Sequence, residues 1–192
     1  LTGVSLLQDS ASELIYPLLP LLLTTTLAAP AIVVGLVEGV ADGVAGLTRY
    51  WSGRWSDRIG RKPLIGAGYG LAATGKAVIA AAGAWPVVLV GRSLDRFGKG
   101  VRSAPRDALL ASSAPPEALG RAFGFHRAGD TLGAVIGPLL ALVALTVTDD
   151  DLSLVLWLAV IPAVASTVLV AWVRDTSGPR PPARRDQAAG RD

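Results

Sequence analysis

Leu152 to Val173 runs for 22 residues without a charged side chain. At ~1.5 Å of rise per residue, such a helix matches the ~30 Å hydrocarbon core of a bilayer. A water-soluble fold has no use for a segment of this kind, so it governs how the rest of the chain is read. Five further apolar segments precede it. The pattern predicts helices over 3–27, 31–52, 63–84, 86–104, 118–145 and 152–173. Only the last is free of charge. Charged residues make up 17% of the chain, against about a quarter in soluble domains. Glycine is frequent inside the segments, as in membrane helices that pack closely. Pro17, Pro20, Pro138 and Pro162 fall within them. Kinks are expected there, with neighbouring helices satisfying the freed carbonyls.

The connections set the direction of each helix. Those near Thr24–Pro30 and Gly83–Pro86 carry no charge, and Thr148–Ser153 carries only Asp149, Asp150 and Asp151. Between them lie Arg54–Lys62, with four basic residues and one acid, and Lys99–Arg121, with Lys99, Arg102, Arg106 and Arg121. The stretch after Val173 adds five arginines. Basic connections alternate strictly with non-basic ones. The positive-inside rule then predicts an even number of spans with both ends cytoplasmic. Six buried helices of a soluble bundle would give loop charge no reason to alternate. The stretch RDTSGPRPPARRDQAAGRD is polar and rich in Pro and Arg, and predicts a disordered cytoplasmic linker over 175–192 beside a membrane domain over 1–174.

Several chemistries are excluded by composition. There is no Cys, so no disulfide, thiolate or Cys-based metal site. A net charge of +3, held in short connections, argues against a nucleic-acid partner. No nucleophile motif and no paired-His metal signature is present, so no enzyme, cofactor or metal site is expected. The chain has no Met, even at position 1, which predicts a processed product or a piece of a longer chain. The first apolar stretch carries Asp9 and Glu13 without a basic leader, unlike a cleavable signal peptide.

The ionisable residues inside the spans ask for an explanation. Asp9 and Glu13 share one face of the first helix, and Glu38 and Asp42 one face of the second. Asp42 falls about twelve residues after Pro30, ~18 Å along the axis and near mid-bilayer. Lys76 lies within the third helix, Arg92, Asp95 and Arg96 within the fourth, and His126, Arg127 and Asp130 within the fifth. A charge at mid-bilayer costs about 2.5–3.5 kcal/mol on the lenient insertion scale. These groups must therefore pair, be neutralised, or line a water-filled cavity. Two readings stand. One is a set of buried ion pairs, Asp95 or Glu38 with Lys76 or Arg92, fixing helix register. The other is a polar cavity in which Asp42 and Glu38, then Glu13 and Asp9, exchange protons, with Arg92 and Arg96 tuning them or holding an anionic substrate group. His126 is read as a proton relay or as interfacial packing.

GRWSDRIGRK, Gly53 to Lys62, fits the pattern G-x-x-x-D-[RK]-x-G-[RK]-[RK] through Gly53, Asp57, Arg58, Gly60, Arg61 and Lys62. It resembles the loop between the second and third helices of the major facilitator superfamily, and sits in the same place. GRSLDRFGKG, Gly91 to Gly100, resembles that family's fourth-helix signature with its intramembrane Arg at Arg92. Asp95 and Arg96 depart from it. GDTLGAVIGP, Gly129 to Pro138, resembles the fifth-helix signature of the family's antiporters. Its Gly129, Gly133 and Gly137 share a face, Pro138 bends the helix, and ordinary small-residue packing explains the spacing equally. DRFGKGVRSAPRDALL and GRAFGFHRAGDT look like a bacterial subgroup of uncharacterised or drug-efflux-like facilitators.

The resemblance implies an all-α, polytopic membrane protein of six transmembrane helices, arranged as two inverted three-helix repeats. That is the N-terminal half of a twelve-helix transporter of the bacterial inner membrane. It implies a partner in the bilayer, either a C-terminal six-helix half or a second copy. It also implies proton-coupled export of a small molecule by alternating access. A cation or metal-ion facilitator and a non-transporting half are the alternatives. Asp57 is expected to latch onto the second half. From the residues themselves, Gly53 is expected to allow close helix approach, Gly60 a sharp turn, Asp57 a helix N-cap, and Arg61 a pair with Asp107.

Overall fold

The computed structural model describes residues 1–173, with Asp57 described by its backbone alone. The linker expected over 175–192 lies outside the described residues. Six helices make up the described chain. The first, α1, runs as a regular helix over Thr2–Ile15 and continues through tighter and wider turns to Thr26. The change of winding coincides with Pro17 and Pro20, whose missing N–H groups interrupt the regular ladder. Then come α2 (Ile32–Ile59), α3 (Arg61–Ala80), α4 (Trp85–Ser112), α5 (Leu119–Val147) and α6 (Leu152–Leu169).

Two helices outrun their predicted ends. α2 continues to Ile59 because nothing before Gly60 breaks it, so most of the expected Arg54–Lys62 loop is helical. Gly60 alone makes the turn, with φ 101° and ψ 156°, a region that side chains rarely enter. Asp57 therefore lies in the last turn of α2, and Gly60, not Asp57, is the N-cap of α3. The space beside Gly53 is open, so it mediates no close approach here. α4 runs through Pro105 to Ser112, eight residues past the predicted end at 104. At the other end of the bundle Asp149 and Asp150 take positive φ, which Asp tolerates better than most residues. Asp151 then caps α6, its side chain accepting from Leu154 N at 3.1 Å.

The principal contacts are α3 with α4, α2 with α4, α1 with α5, α1 with α6, and α3 with α6. Exchanging α1 with α4, α2 with α5 and α3 with α6 maps this set onto itself. Because the chain reverses direction at each connection, the two three-helix units run oppositely. This is an inverted repeat. Glycines permit the closest contacts. A Cβ at Gly75 or Gly91 would lie within 3 Å of the facing backbone, as would one at Gly68 or Gly98, so α3 and α4 touch main chain to main chain. Gly133 and Gly137 likewise meet the backbone of α1 between Leu6 and Glu13, and Gly129 faces Thr2.

The apolar core gathers at the end away from the basic connections, where Leu19, Leu23, Val37, Ile79, Val88 and Leu156 are buried together. At the basic end Leu1, Leu109 and Val173 lie around one pocket. Arg61 donates to the Ala108 carbonyl at 3.1 Å, and Lys62 to that of Ala171 at 2.9 Å. Judged by length and hydropathy, Pro116–Val147 and Leu152–Trp172 qualify as spans among the described residues. In α5 the charges are confined to the first half, which leaves its second half apolar enough to qualify beside α6. Of the four remaining helices, α3 and α4 bury Lys76, Arg92, Asp95, Arg96 and Arg102, whereas α2 leaves Asp42, Arg49, Arg54 and Arg58 exposed.

Candidate functional site

Two sets of charges occupy the bundle, and α4 contributes to both. Its ionisable residues Arg92, Asp95, Arg96, Lys99, Arg102 and Arg106 recur at helical spacing, so they form one stripe along the face turned toward α1, α2 and α3.

The first set sits toward the non-basic end. Lys76 of α3 donates to Asp95 at 2.5 Å, and both are buried. Arg92 also meets Asp95, at 3.5 Å, and holds Glu38 of α2 through two parallel bonds of 3.0 Å. That fork-to-fork geometry is the strong form of an Arg–carboxylate pair. The Tyr16 ring lies against the Arg92 guanidinium, 5.5 Å from its centroid. One turn further along, Arg96 meets Asp42 at 3.4 Å. Glu38–Arg92 and Asp42–Arg96 thus make a two-rung ladder between parallel helices. The carboxylate of Asp42 is 69% exposed, so it is the open rung rather than a buried mid-bilayer group.

The second set surrounds a cavity of about 390 Å³ between α1, α2, α4 and α5. Asp9 and Glu13 face it from α1, Lys99, Arg102 and Arg106 from α4, and Asp130 from α5. Its ion pairs are long. Arg102 reaches Asp9 at 3.9 Å, and Arg106 reaches Asp130 and Asp107 at 3.6 Å each. Arg61 does not take Asp107. It donates instead to the Ala108 carbonyl and the Ser112 hydroxyl, because the longer α4 brings its last turn across the start of α3. Glu13 has no ion pair among the described residues. Behind the cavity Tyr69 is fully buried, its hydroxyl 2.9 Å from Ser5 Oγ and its ring 4.5 Å from the Arg102 guanidinium. His126 is buried against α1, 3.4 Å from Thr2 Oγ1 and 3.7 Å from Asp130.

The structure thus brings Asp9, Glu13 and Asp130 together and sends Glu38, Asp42, Lys76, Arg92, Asp95 and Arg96 into the ladder. Arg102 and Arg106 were expected in a connection, not in the site. The signal that reveals them is the uninterrupted spacing of charges along α4, which Pro105 obscures. The signature turn is a separate region. Arg58 is exposed there, and Asp57 is described by its backbone alone.

An inverted six-helix repeat whose central helices carry paired charges around a polar cavity is the architecture of one half of a secondary transporter. The Major Facilitator Superfamily profile matches residues 1–192. The chain belongs to the major facilitator superfamily. It is 31% identical over 176 residues to an uncharacterised MFS-type transporter of Methanocaldococcus jannaschii, covering 91% of this chain and 44% of that protein. An uncharacterised protein of Mycobacterium tuberculosis is 34% identical over 165 residues, 85% of this chain and 40% of its own length. The multidrug resistance protein MdtH of Yersinia pestis is 29% identical over 159 residues, 83% and 39% respectively. The crystal structure of the human organic anion transporter MFSD10 superposes with a TM-score of 0.74 at 23% identity, over 91% of this chain and 46% of that one. That match establishes the fold. The chain spans less than half the length of these relatives, as half of a facilitator fold does.

Proposed function

We propose that this chain is the six-helix half of a proton-coupled secondary transporter that exports a small molecule by alternating access. The observation that carries the reading is the cavity between α1, α2, α4 and α5, where Glu13 faces open space without an ion pair among the described residues. An acid free of a fixed counter-charge inside a bundle is a group that can gain and lose a proton as its surroundings change. Glu13 leads the candidates, with Asp9 beside it. Glu38 ranks below them because Arg92 holds both of its oxygens. Export of a drug or metabolite is supported by the likeness to MdtH, a multidrug resistance protein.

The basic connections lie at one end of the bundle, which supports an inner-membrane protein with that end in the cytoplasm. A second six-helix half, or a second copy, would cover the open faces of α2 and α5. The alternative of a cation or metal-ion facilitator needs carboxylates gathered together. Here Asp9, Glu38, Asp42, Asp95 and Asp130 each face a Lys or Arg within 4 Å.

The test is proton flux into proteoliposomes containing the full-length protein. We expect flux driven by a pH gradient, abolished in Glu13→Gln and reduced in Asp9→Asn, with Asp42→Asn close to wild type. Loss of flux in Asp42→Asn with Glu13→Gln unaffected would move the coupling site to the ladder. Flux that follows divalent cations and ignores pH would favour the facilitator, and no flux at all would favour a non-transporting half.

A further inference from the structure

Five cationic side chains and four carboxylates line the cavity, and the cations are the less satisfied. Arg102 is 2% exposed, yet its Nε and Nη1 have no hydrogen-bond acceptor among the described residues. Its nearest carboxylate, Asp9, stands 3.9 Å away. The Tyr69 ring steadies the plane of the guanidinium but offers it no lone pair in that plane. Arg106 is shared between Asp107, Asp130 and the Ser5 hydroxyl at 3.3–3.6 Å, and its Nε also has no hydrogen-bond acceptor among the described residues. Lys99, three residues before Arg102, has no ion pair among the described residues. Contrast Arg92, ten residues back on the same helix, which makes two 3.0 Å bonds to Glu38. Native interiors rarely leave guanidinium donors orphaned, since burial without an acceptor is costly. The missing acceptors are oxygens carrying negative charge, in the flat arrangement that guanidinium forks recognise.

We propose that Lys99, Arg102 and Arg106 form a subsite for the oxyanion group, carboxylate or phosphate, of a molecule that occupies this cavity. The three side chains lie at i, i+3 and i+7, on one face of α4. Arg102 supplies the in-plane donors, Lys99 the mobile charge at the cavity wall, and Arg106 the link to Asp130 on α5. An arriving oxyanion replaces the distant Asp9 as the partner of Arg102. Asp9 is thereby released to take a proton, which couples the occupant to the acid pair on α1. The coupling step rests on the transporter reading above, whereas the subsite itself is an equilibrium binding property.

The experiment is binding of sodium benzoate and of inorganic phosphate to the full-length protein in neutral detergent, followed by calorimetry and by the thermal midpoint. Benzyl alcohol serves as the uncharged control. We expect at least one anion to bind saturably, benzyl alcohol to have no effect, and Arg102→Lys or Lys99→Gln to weaken the anion about tenfold, the worth of one charge-assisted hydrogen bond. Lys99 has no ion pair to lose, so Lys99→Gln keeps the test decisive if the Arg102 variant does not fold. Phosphatidylglycerol that competes with the anion in wild type but not in the variants would assign the oxyanion to a lipid headgroup. Absence of competition would assign it to a dissolved solute. Binding of neither anion to wild type, or equal binding to wild type and both variants, overturns the subsite. Arg102-dependent binding in a protein without flux would retain the subsite and sink the transporter reading. Flux unaffected by Lys99→Gln and Arg102→Lys, with the anion still bound through these residues, would retain the subsite and overturn its coupling to Asp9.

Discussion

The contact between α3 and α4 and the cavity between α1 and α4 are built from the same kinds of side chain and behave as opposites. Across α3 and α4, glycines bring the backbones together and Lys76 meets Asp95 at 2.5 Å, out of solvent. Across the cavity, Arg102 and Asp9 stand 3.9 Å apart beside open space. Among the described residues α1 and α4 have no glycine seam between them, and each packs instead on two helices of the opposite three-helix unit. The difference teaches that charges in this bundle take two arrangements. Where backbones touch, a charge pair is a fixed part of the packing. Where helices are held apart, charges stand in longer pairs beside open space, which is what the proposed function draws on.

Breaking the closed contact should have the largest effect. Lys76→Ala leaves Asp95 buried with less compensation, and should cost about 3–5 kcal/mol, read as a lower unfolding midpoint in detergent. Changing both partners, Lys76→Leu with Asp95→Leu, should recover most of that loss. A single variant as stable as wild type would show that Arg92 alone suffices for Asp95. Next comes the glycine seam. Gly98→Val should lose about 1–3 kcal/mol or fail to fold, since its Cβ would strike the α3 backbone. Gly46→Ala, with open space beside it, should be close to neutral, and equal losses at the two sites would remove the seam from the comparison. The smallest effect on stability belongs to the cavity. Glu13→Gln should shift stability by no more than ~0.5 kcal/mol while removing pH-driven flux. A large destabilisation there would mean that Glu13 belongs to the packing after all.

Much of this was legible beforehand, for identifiable reasons. Helix number and direction follow from long apolar runs separated by connections of alternating charge. The Gly60 turn follows from the one residue type that accepts its φ. Other features escaped. Pro105, which removes one backbone donor, stands just past the predicted helix end at 104. Yet it lies buried inside α4, which carries Arg102 and Arg106 into the bundle. The four-residue spacing of Glu38 and Asp42 placed both on one face, but spacing on one helix does not say which neighbour that face meets.

The sequence by itself determined six apolar segments and their up-and-down order, because these depend on local chemistry and on the bilayer. Only the tertiary structure decided that Glu38 and Asp95 are held in pairs while Glu13, Asp9 and Arg102 look onto a cavity. Pairing depends on how each helix is rotated about its axis and on how near its neighbour lies. Glycines on two different helices set that distance jointly, and no single stretch of sequence contains both.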